Sequence, residues 1–298
     1  MKDWKALLGP MRLPFVILAP CCVLLGLGTA YWETGGHINW FYFVLTLIGG
    51  IAAHISVNVF NEYFDFKTGL DAKTQRTPFS GGSGTLQARP ELQPGALAIA
   101  WISFALTALI GIFFIFVWGW QFIPFGILGL FLLYGYTVWI AYNPILCLIA
   151  PGLGFGPLMV MGTHFALTGK YSLIAFIASL VPFFLVSDLL FLNQFPDVEA
   201  DQSIGRRHFP ITIGRKSSAY IYIGFLLAAY VVIALGVVFG FLPKFALLGL
   251  LTLILAVQVI RGVLANSENI PGLIPVMGQN VLINLITPVL VAVGLFIR

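Results

Sequence analysis

The chain predicts an all-α integral membrane protein with nine transmembrane helices, and three observations lead there. Charged residues make up 9% of the 298 and apolar residues 59%, whereas a soluble domain carries roughly a quarter charged residues. Mean hydropathy is +0.99, more apolar surface than a soluble core can hide. The apolar residues also fall into runs of about 20, the length that crosses a bilayer as a helix.

Nine such runs follow one another at 13–32, 38–62, 94–118, 121–141, 145–167, 171–191, 217–240, 243–263 and 273–297, read as one polytopic unit over 1–298. The first is too long for a secretory h-region, and no convincing small-x-small cleavage site follows it. Leu18-Ala19-Pro20-Cys21 is a poor lipoprotein box, because proline precedes the cysteine. Spans four and five are joined by a very short link at 141–145 and form a hairpin. Two connections, 63–93 and 192–216, are long and polar.

Lys and Arg set the orientation. With the N-terminus inside, cytoplasmic segments hold Lys2, Lys5, Arg12, Lys67, Lys73, Arg76, Arg89, Arg206, Arg207, Arg215, Lys216 and Arg261. The opposite side holds Lys170, Lys244 and Arg298. Both polar loops therefore face the cytoplasm, and the C-terminus lies outside. Trp4, Trp32 and Trp40 read as interface residues. The net charge of +4 suits anionic headgroups or an anionic substrate and calls for no nucleic acid. Cys21, Cys22 and Cys147 have neither metal-ligand nor disulfide spacing and read as core residues.

The acids concentrate in two motifs, Asn61-x3-Asp65-x5-Asp71 and Asn193-x3-Asp197-x3-Asp201. A carboxylate beside a membrane span is costly and marks a functional site by default. His54, Asn58, Asn61 and Asp65, spaced four, three and four, share one stripe running out of the second span. Polar glue between helices explains His54 and Asn58 as well as a functional role does. It does not explain Asp65 and Asp71, which need a cation or a basic partner. Asn193, Asp197 and Asp201 are four apart and predict one helical face, about 6 Å per step, in a helix that Pro196 loosens. Glu199 points off that stripe toward solvent. A salt-bridged loop using Arg206 and Arg207 is the alternative here, and the matching motif in the first loop argues against it.

Carboxylates with amide oxygens are hard ligands suited to magnesium, which completes its shell with water and substrate phosphates. Two facing motifs can hold two such ions across a diphosphate. Basic residues follow each motif: Lys67, Lys73 and Arg76, then Arg206, Arg207, Arg215 and Lys216. Acids for metal and bases for phosphate oxygens form the balance a diphosphate leaving group requires. Ser80-Gly81-Gly82-Ser83-Gly84 either offers backbone N–H groups to phosphate or forms a flexible lid without ligand contact.

The string Asn61-Glu62-Tyr63-Phe64-Asp65-Phe66-Lys67-Thr68-Gly69-Leu70-Asp71 resembles the first signature of the UbiA superfamily of intramembrane prenyltransferases. Asn193-Gln194-Phe195-Pro196-Asp197-Val198-Glu199-Ala200-Asp201, followed by Gly205-Arg206-Arg207, resembles the second. The longer first-motif spacing is similar to the 1,4-dihydroxy-2-naphthoate polyprenyltransferase branch. So are His54 and Asn58, and Gly154-Phe155-Gly156-Pro157 with Gly162-Thr163 in span five. Two departures stand out: Glu62 replaces a frequent Asp, and Ala150-Pro151-Gly152 lacks a glutamate often found in that branch.

The resemblance implies nine helices around a central cavity in the cytoplasmic (inner) membrane, with the site facing the cytoplasm. It implies magnesium-dependent transfer of a polyprenyl group from an isoprenyl diphosphate to an aromatic acceptor, 1,4-dihydroxy-2-naphthoate in menaquinone biosynthesis. Asp65, Asp71, Asp197 and Asp201 become metal ligands, and Asn61 and Asn193 amide ligands or orienters. Lys67, Arg76, Arg206 and Arg207 become diphosphate contacts, with His54 and Asn58 toward the substrate. Tyr134 or Tyr136 would steady a cation by its ring, the other reading being interface anchors with Tyr142. The acceptors 4-hydroxybenzoate, a glycerol phosphate lipid and a tetrapyrrole stay open.

Other classes fit less well. An ion-coupled transporter predicts midplane acids and inverted repeats, whereas these acids sit at helix ends and nine spans do not halve. A scaffold leaves the duplicated motif unexplained. A soluble-type prenyl synthase shares paired aspartates but not nine lipid-facing spans. Asp188, His164, Asn280 and Asn284 read as structural polar groups within the bundle.

Overall fold

The computed structural model describes residues Trp4–Ile297; Lys2, Arg298 and the ring of Trp4 lie outside the described residues. Among the described residues there are helices and turns and no strand. Lipid demands this, since each spanning segment must satisfy its own backbone polar groups.

Nine described helices are long and apolar enough to cross a membrane: α1 Leu13–Thr34, α2 Trp40–Thr68, α3 Pro90–Trp118, α4 Trp120–Val138, α5 Pro144–Thr168, α6 Leu173–Asn193, α7 Arg215–Val238, α8 Lys244–Asn266 and α9 Ile270–Phe296. The largest departure from the hydropathy boundaries is in α2, which continues past residue 62 to Thr68. The apolar run ends at Glu62, but backbone hydrogen bonding does not. Gly69, at φ +71°, is what stops this helix, donating its N–H to Phe66 O at 3.1 Å.

α2 packs on α3, α6 on α5 and α7, and α9 on α1 and α8. Buried Leu185, Tyr222, Leu226, Ile233, Leu273 and Val291 form the main core. Outward residues such as Phe116 and Val238 are 86% and 76% exposed, as a lipid-facing surface requires. Trp32 and Trp40 are exposed where α1 passes into α2, away from the motifs. In α5, Pro151 precedes a wide π-type segment, Gly154–Met161, that contains Pro157. Proline removes ladder donors, and such widened turns recur at functional sites. The α2–α3 and α6–α7 connections meet at one end of the bundle, where Arg206 reaches Asp65.

Candidate active site

The first motif is built by a helix end and a reversal. Asn61 and Asp65 lie one turn apart on α2 and line one polar cavity. Gly69, in the left-handed region, turns the chain back, and the short helical turn Leu70–Ala72 then buries Asp71 on that wall. The glycine segment crosses directly above. At Gly82, φ +71°, a Cβ would stand 3.0 Å from Asp71 Oδ1, so a side chain there would strain the backbone and crowd the carboxylate. Ser83 N–H donates to Glu62 Oε2 at 2.9 Å, and the Ser83 hydroxyl also donates to Glu62. Gln87 Nε2 donates to Asp71 Oδ2 at 2.6 Å. The segment is therefore pinned rather than a free lid, with Gly81 and Gly82 on the cavity wall.

The second motif is not one helical face, contrary to the expectation from its spacing. α6 ends at Asn193, residues 194–197 form a turn, and a short helix, Val198–Ser203, carries Asp201. Pro196 has no N–H to continue the ladder and disfavours helix before it. Asp201 accepts from Arg206 Nη1 at 3.0 Å and meets His208 Nε2 at 3.0 Å. Arg206 Nη2 also bonds Asp65, so one guanidinium bridges the two motifs. Glu199 is exposed, as expected, but is gripped by Arg215 at 2.8 and 2.7 Å.

The polar cavity, about 110 Å³, is lined by Arg12, Asn61, Asp65, Asp71, Asn193, Asp197, Asp201, Arg206 and His208. It adjoins an apolar chamber of about 440 Å³, and Arg12, Asn61, Phe79, Tyr136, Leu190 and Asn193 line both. Four carboxylates face two guanidiniums in the polar part, an excess of two negative charges when all are ionised. Burial and then Asp201 push the Asp197 pKa up to about 7, against Ser80, Arg206 and Arg12. Burial and then Glu62 push Asp71 up to about 6, against Gln87, Arg76 and Arg12. Burial pulls the Arg206 pKa down, but Asp65 and Asp201 together outweigh it and leave it raised. Asp197 Oδ1 is buried without a hydrogen-bond partner.

An uncompensated set of oxygen ligands with one orphaned carboxylate oxygen fits a hard divalent cation. Among the described residues no three His, Cys, Asp or Glu side chains form a ready cage. That suits magnesium, which binds through one or two carboxylates and takes substrate phosphates and water for the rest.

Several expected contacts are not brought to the cavity. Lys67 is exposed, with Nζ 5.9 Å from the centre of the Tyr63 ring. Exposed Arg76 donates to Gln87 Oε1 at 3.1 Å, and Gln87 in turn donates to Asp71. Arg207 is exposed, its N–H bonding Ala141 O at 3.3 Å. Tyr134 packs among Phe60, Phe64, Trp101 and Trp139, whereas Tyr136 lines both cavities.

Other residues take their place. Arg12, read from sequence only as a topology charge, lines both cavities from a left-handed backbone, φ +52°. Its N–H bonds Gly9 O at 2.9 Å, and Asn58 Nδ2 holds Met11 O at 3.2 Å. Its one sequence signal is an arginine immediately before the first span, two residues ahead of Pro14. His208, seven residues beyond Asp201, carried no signal of its own. Cys147, expected as a plain core residue, is on the polar wall and accepts from Gln194 Nε2 at 3.2 Å. His54 and Asn58 line the apolar chamber, and so does Asn284, expected only as glue. His164 is glue, 3.0 Å from Thr29 Oγ1.

A charged head suits the first cavity and a hydrocarbon tail the second, the arrangement of an intramembrane enzyme for an amphiphilic substrate. The chain belongs to the UbiA prenyltransferase family, which matches residues 19–270 and so both motifs. It is 27% identical over 259 residues to a 1,4-dihydroxy-2-naphthoate octaprenyltransferase of Bacillus subtilis, covering 86% of this chain and 81% of that one. It is 26% identical over 275 residues to a 2-carboxy-1,4-naphthoquinone phytyltransferase of Synechocystis sp., covering 88% and 82%. The solved structure of a UbiA homolog from Archaeoglobus fulgidus bound to DMAPP and Mg2+ has the same fold. It aligns at a TM-score of 0.60 over 97% of this chain and 99% of that one, at 14% identity. The protein is a membrane prenyltransferase.

Proposed function

We propose that this enzyme transfers a polyprenyl group from an isoprenyl diphosphate to 1,4-dihydroxy-2-naphthoate, in menaquinone biosynthesis, and that it requires magnesium. The junction of the two cavities carries this: acids and arginines on one side of Asn61, Tyr136 and Asn193, and apolar helix faces on the other. Asp65, Asp71, Asp197 and Asp201, with Asn61 and Asn193, would hold two magnesium ions. Bound magnesium neutralises diphosphate oxygens and so makes a better leaving group.

Arg12 and Arg206 donate to the same oxygens, for which a guanidinium fork is well shaped. With a cation held by the acids, Arg206, now paired with Asp65 and Asp201, would be free to turn to the diphosphate oxygens. The allylic C–O bond breaks with its electron pair leaving on the diphosphate. A ring carbon of the acceptor supplies the pair for the new C–C bond. With a dihydroxynaphthoate, the carboxylate leaves as carbon dioxide and its bonding pair restores the ring. The apolar walls keep out water that would trap the allylic cation, and the Tyr136 ring at the junction steadies it.

The naphthoate acceptor is supported by the Asn61-to-Asp71 spacing and by what the two relatives are named for. His54, Asn58 and Asn284 add polar groups to an otherwise apolar wall, where the hydroxyls of a two-ring acceptor find partners. The charge bias of the loops supports a site open to the cytoplasmic face of the inner membrane.

The test is to incubate purified protein with magnesium, a polyprenyl diphosphate and either dihydroxynaphthoate or 4-hydroxybenzoate, identifying products by mass. A prenylated naphthoquinol formed with loss of carbon dioxide is expected. 4-Hydroxybenzoate should turn over poorly, since one ring fills less of the chamber. Comparable or faster turnover of 4-hydroxybenzoate would overturn the acceptor and spare the donor chemistry.

A further inference from the structure

Asp201 is held differently from the other cavity acids. Asp65 meets Arg206 through one oxygen, and Asp71 meets Gln87 through one. Asp201 is met on both, with Arg206 Nη1 3.0 Å from Oδ1 and His208 Nε2 3.0 Å from Oδ2. The loop is shaped to make this double grip. Gly205, at φ +83°, reverses the chain after the short helix Val198–Ser203, and Arg206 N–H donates back to Asp201 O at 3.1 Å. The His208 carbonyl accepts from Ile211 and Thr212 N–H, both at 3.0 Å, which fixes its backbone. Its side chain is 2% exposed, so packing holds the ring in place.

The two grips differ in kind. Arg206 is shared with Asp65 on the cavity wall, and it is the partner that a diphosphate would draw off. His208 stays. A carboxylate only accepts, so Nε2 carries the hydrogen of this bond. Nδ1 is then buried with no donor to meet. An orphaned ring nitrogen costs stability, and an apolar side chain would avoid that cost. What the ring offers in return is a fixed donor on one oxygen of Asp201.

We propose that His208 is a positioning residue for Asp201. Its Nε2–H holds Oδ2, so that Oδ1, once Arg206 turns away, is presented to magnesium and does not rotate out of reach. A hydrogen bond that orients a ligating carboxylate in this way is worth about 10- to 100-fold in metal affinity. The inference rests on the four acids holding magnesium and is independent of which acceptor is used.

The test titrates magnesium alone against the melting temperature of the detergent-purified protein and reads the midpoint of the rise. His208→Ala and His208→Asn should raise that midpoint by about tenfold or more, with melting in EDTA as the check on folding. His208→Gln should stay within about threefold, because its amide nitrogen stands where Nε2 does and still donates to Oδ2, whereas that of asparagine stands where Nδ1 does. The magnesium needed for half-maximal prenyl transfer should rise in step with the thermal midpoint, and excess magnesium should recover most of the lost turnover. An unmoved midpoint in His208→Ala, rescue by asparagine in place of glutamine, or a turnover loss that magnesium does not repair would overturn the positioning role. If His208→Ala does not fold, the glutamine and asparagine variants carry the same comparison. Wild-type protein whose melting temperature ignores magnesium would overturn the magnesium reading itself.

Discussion

Arg206→Gln tests the charge balance of the site most directly. The Arg206 side chain is 12% exposed, and its partners Asp65 and Asp201 are 10% and 6% exposed. Removing the guanidinium strands two nearly buried carboxylates, and breaking a buried pair costs about 3–5 kcal/mol. His208 still meets the second oxygen of Asp201, which favours the lower end. At about 2 °C per kcal/mol for a chain of this size, the melting temperature in EDTA should fall by roughly 6–8 °C. Millimolar magnesium should recover part of that loss, because a cation bound only by the native acids stabilises the fold by mass action. Asp65→Asn in the same background should recover part of it without metal, since one stranded charge has gone. The assay is thermal unfolding of detergent-purified protein by tryptophan fluorescence, with EDTA or magnesium. An unchanged melting temperature for Arg206→Gln in EDTA, or no recovery by Asp65→Asn, would refute the reasoning.

The other predictions follow from the same cavity. Asp65→Ala or Asp197→Ala should lower turnover by about 100-fold or more, the scale of losing an electrostatic stabiliser, while the protein stays folded in membranes. EDTA should do the same reversibly, and full activity in EDTA would count against the metal. The folded-state values of Asp197, about 7, and Asp71, about 6, lie above the unfolded value of about 3.9. The folded, metal-free protein thus holds more protons than the unfolded chain between those limits. This contribution to stability is full below about pH 3.9 and is lost as pH rises through 6 to 7. Metal-free protein should melt higher at pH 5.5 than at pH 8, with magnesium at pH 8 closing most of the gap; the opposite order would contradict the assignment. For sidedness, Ala88→Cys and Ser203→Cys, both at exposed positions, in a background without Cys21, Cys22 and Cys147, should label only once the cytoplasmic face is opened. Labelling from outside intact cells would reverse the proposed topology.

The nine spans were legible because lipid imposes a local rule: a segment that crosses must be apolar along its length and close its own hydrogen bonds. The His54–Asn58–Asn61–Asp65 stripe was legible for a related reason, since helical periodicity alone places its members together. Both motifs as acid clusters could be found by composition, because carboxylates are so scarce in this chain. What hydropathy and spacing could not give was the path of the chain after each helix ends. Asp71 reaches the cavity through the left-handed turn at Gly69, and Asp197 and Asp201 through the break after Asn193.

The same limit decided the cations. Lys67 lies within the first motif, and Arg76 and Arg207 follow the two motifs in sequence, yet all three lie off the cavity wall, while Arg12 arrives from the segment before α1. Glycine identity was equally plain in the sequence, but its meaning was not. Gly152 is needed because the Phe183 backbone presses against it, and Gly126 borders open space. Periodicity and hydropathy act within one segment, so sequence alone determines which stretches cross the membrane and which carry acid. Which side chains share a wall depends on loop dihedrals and on helices far apart in the chain. Only the tertiary structure settles that.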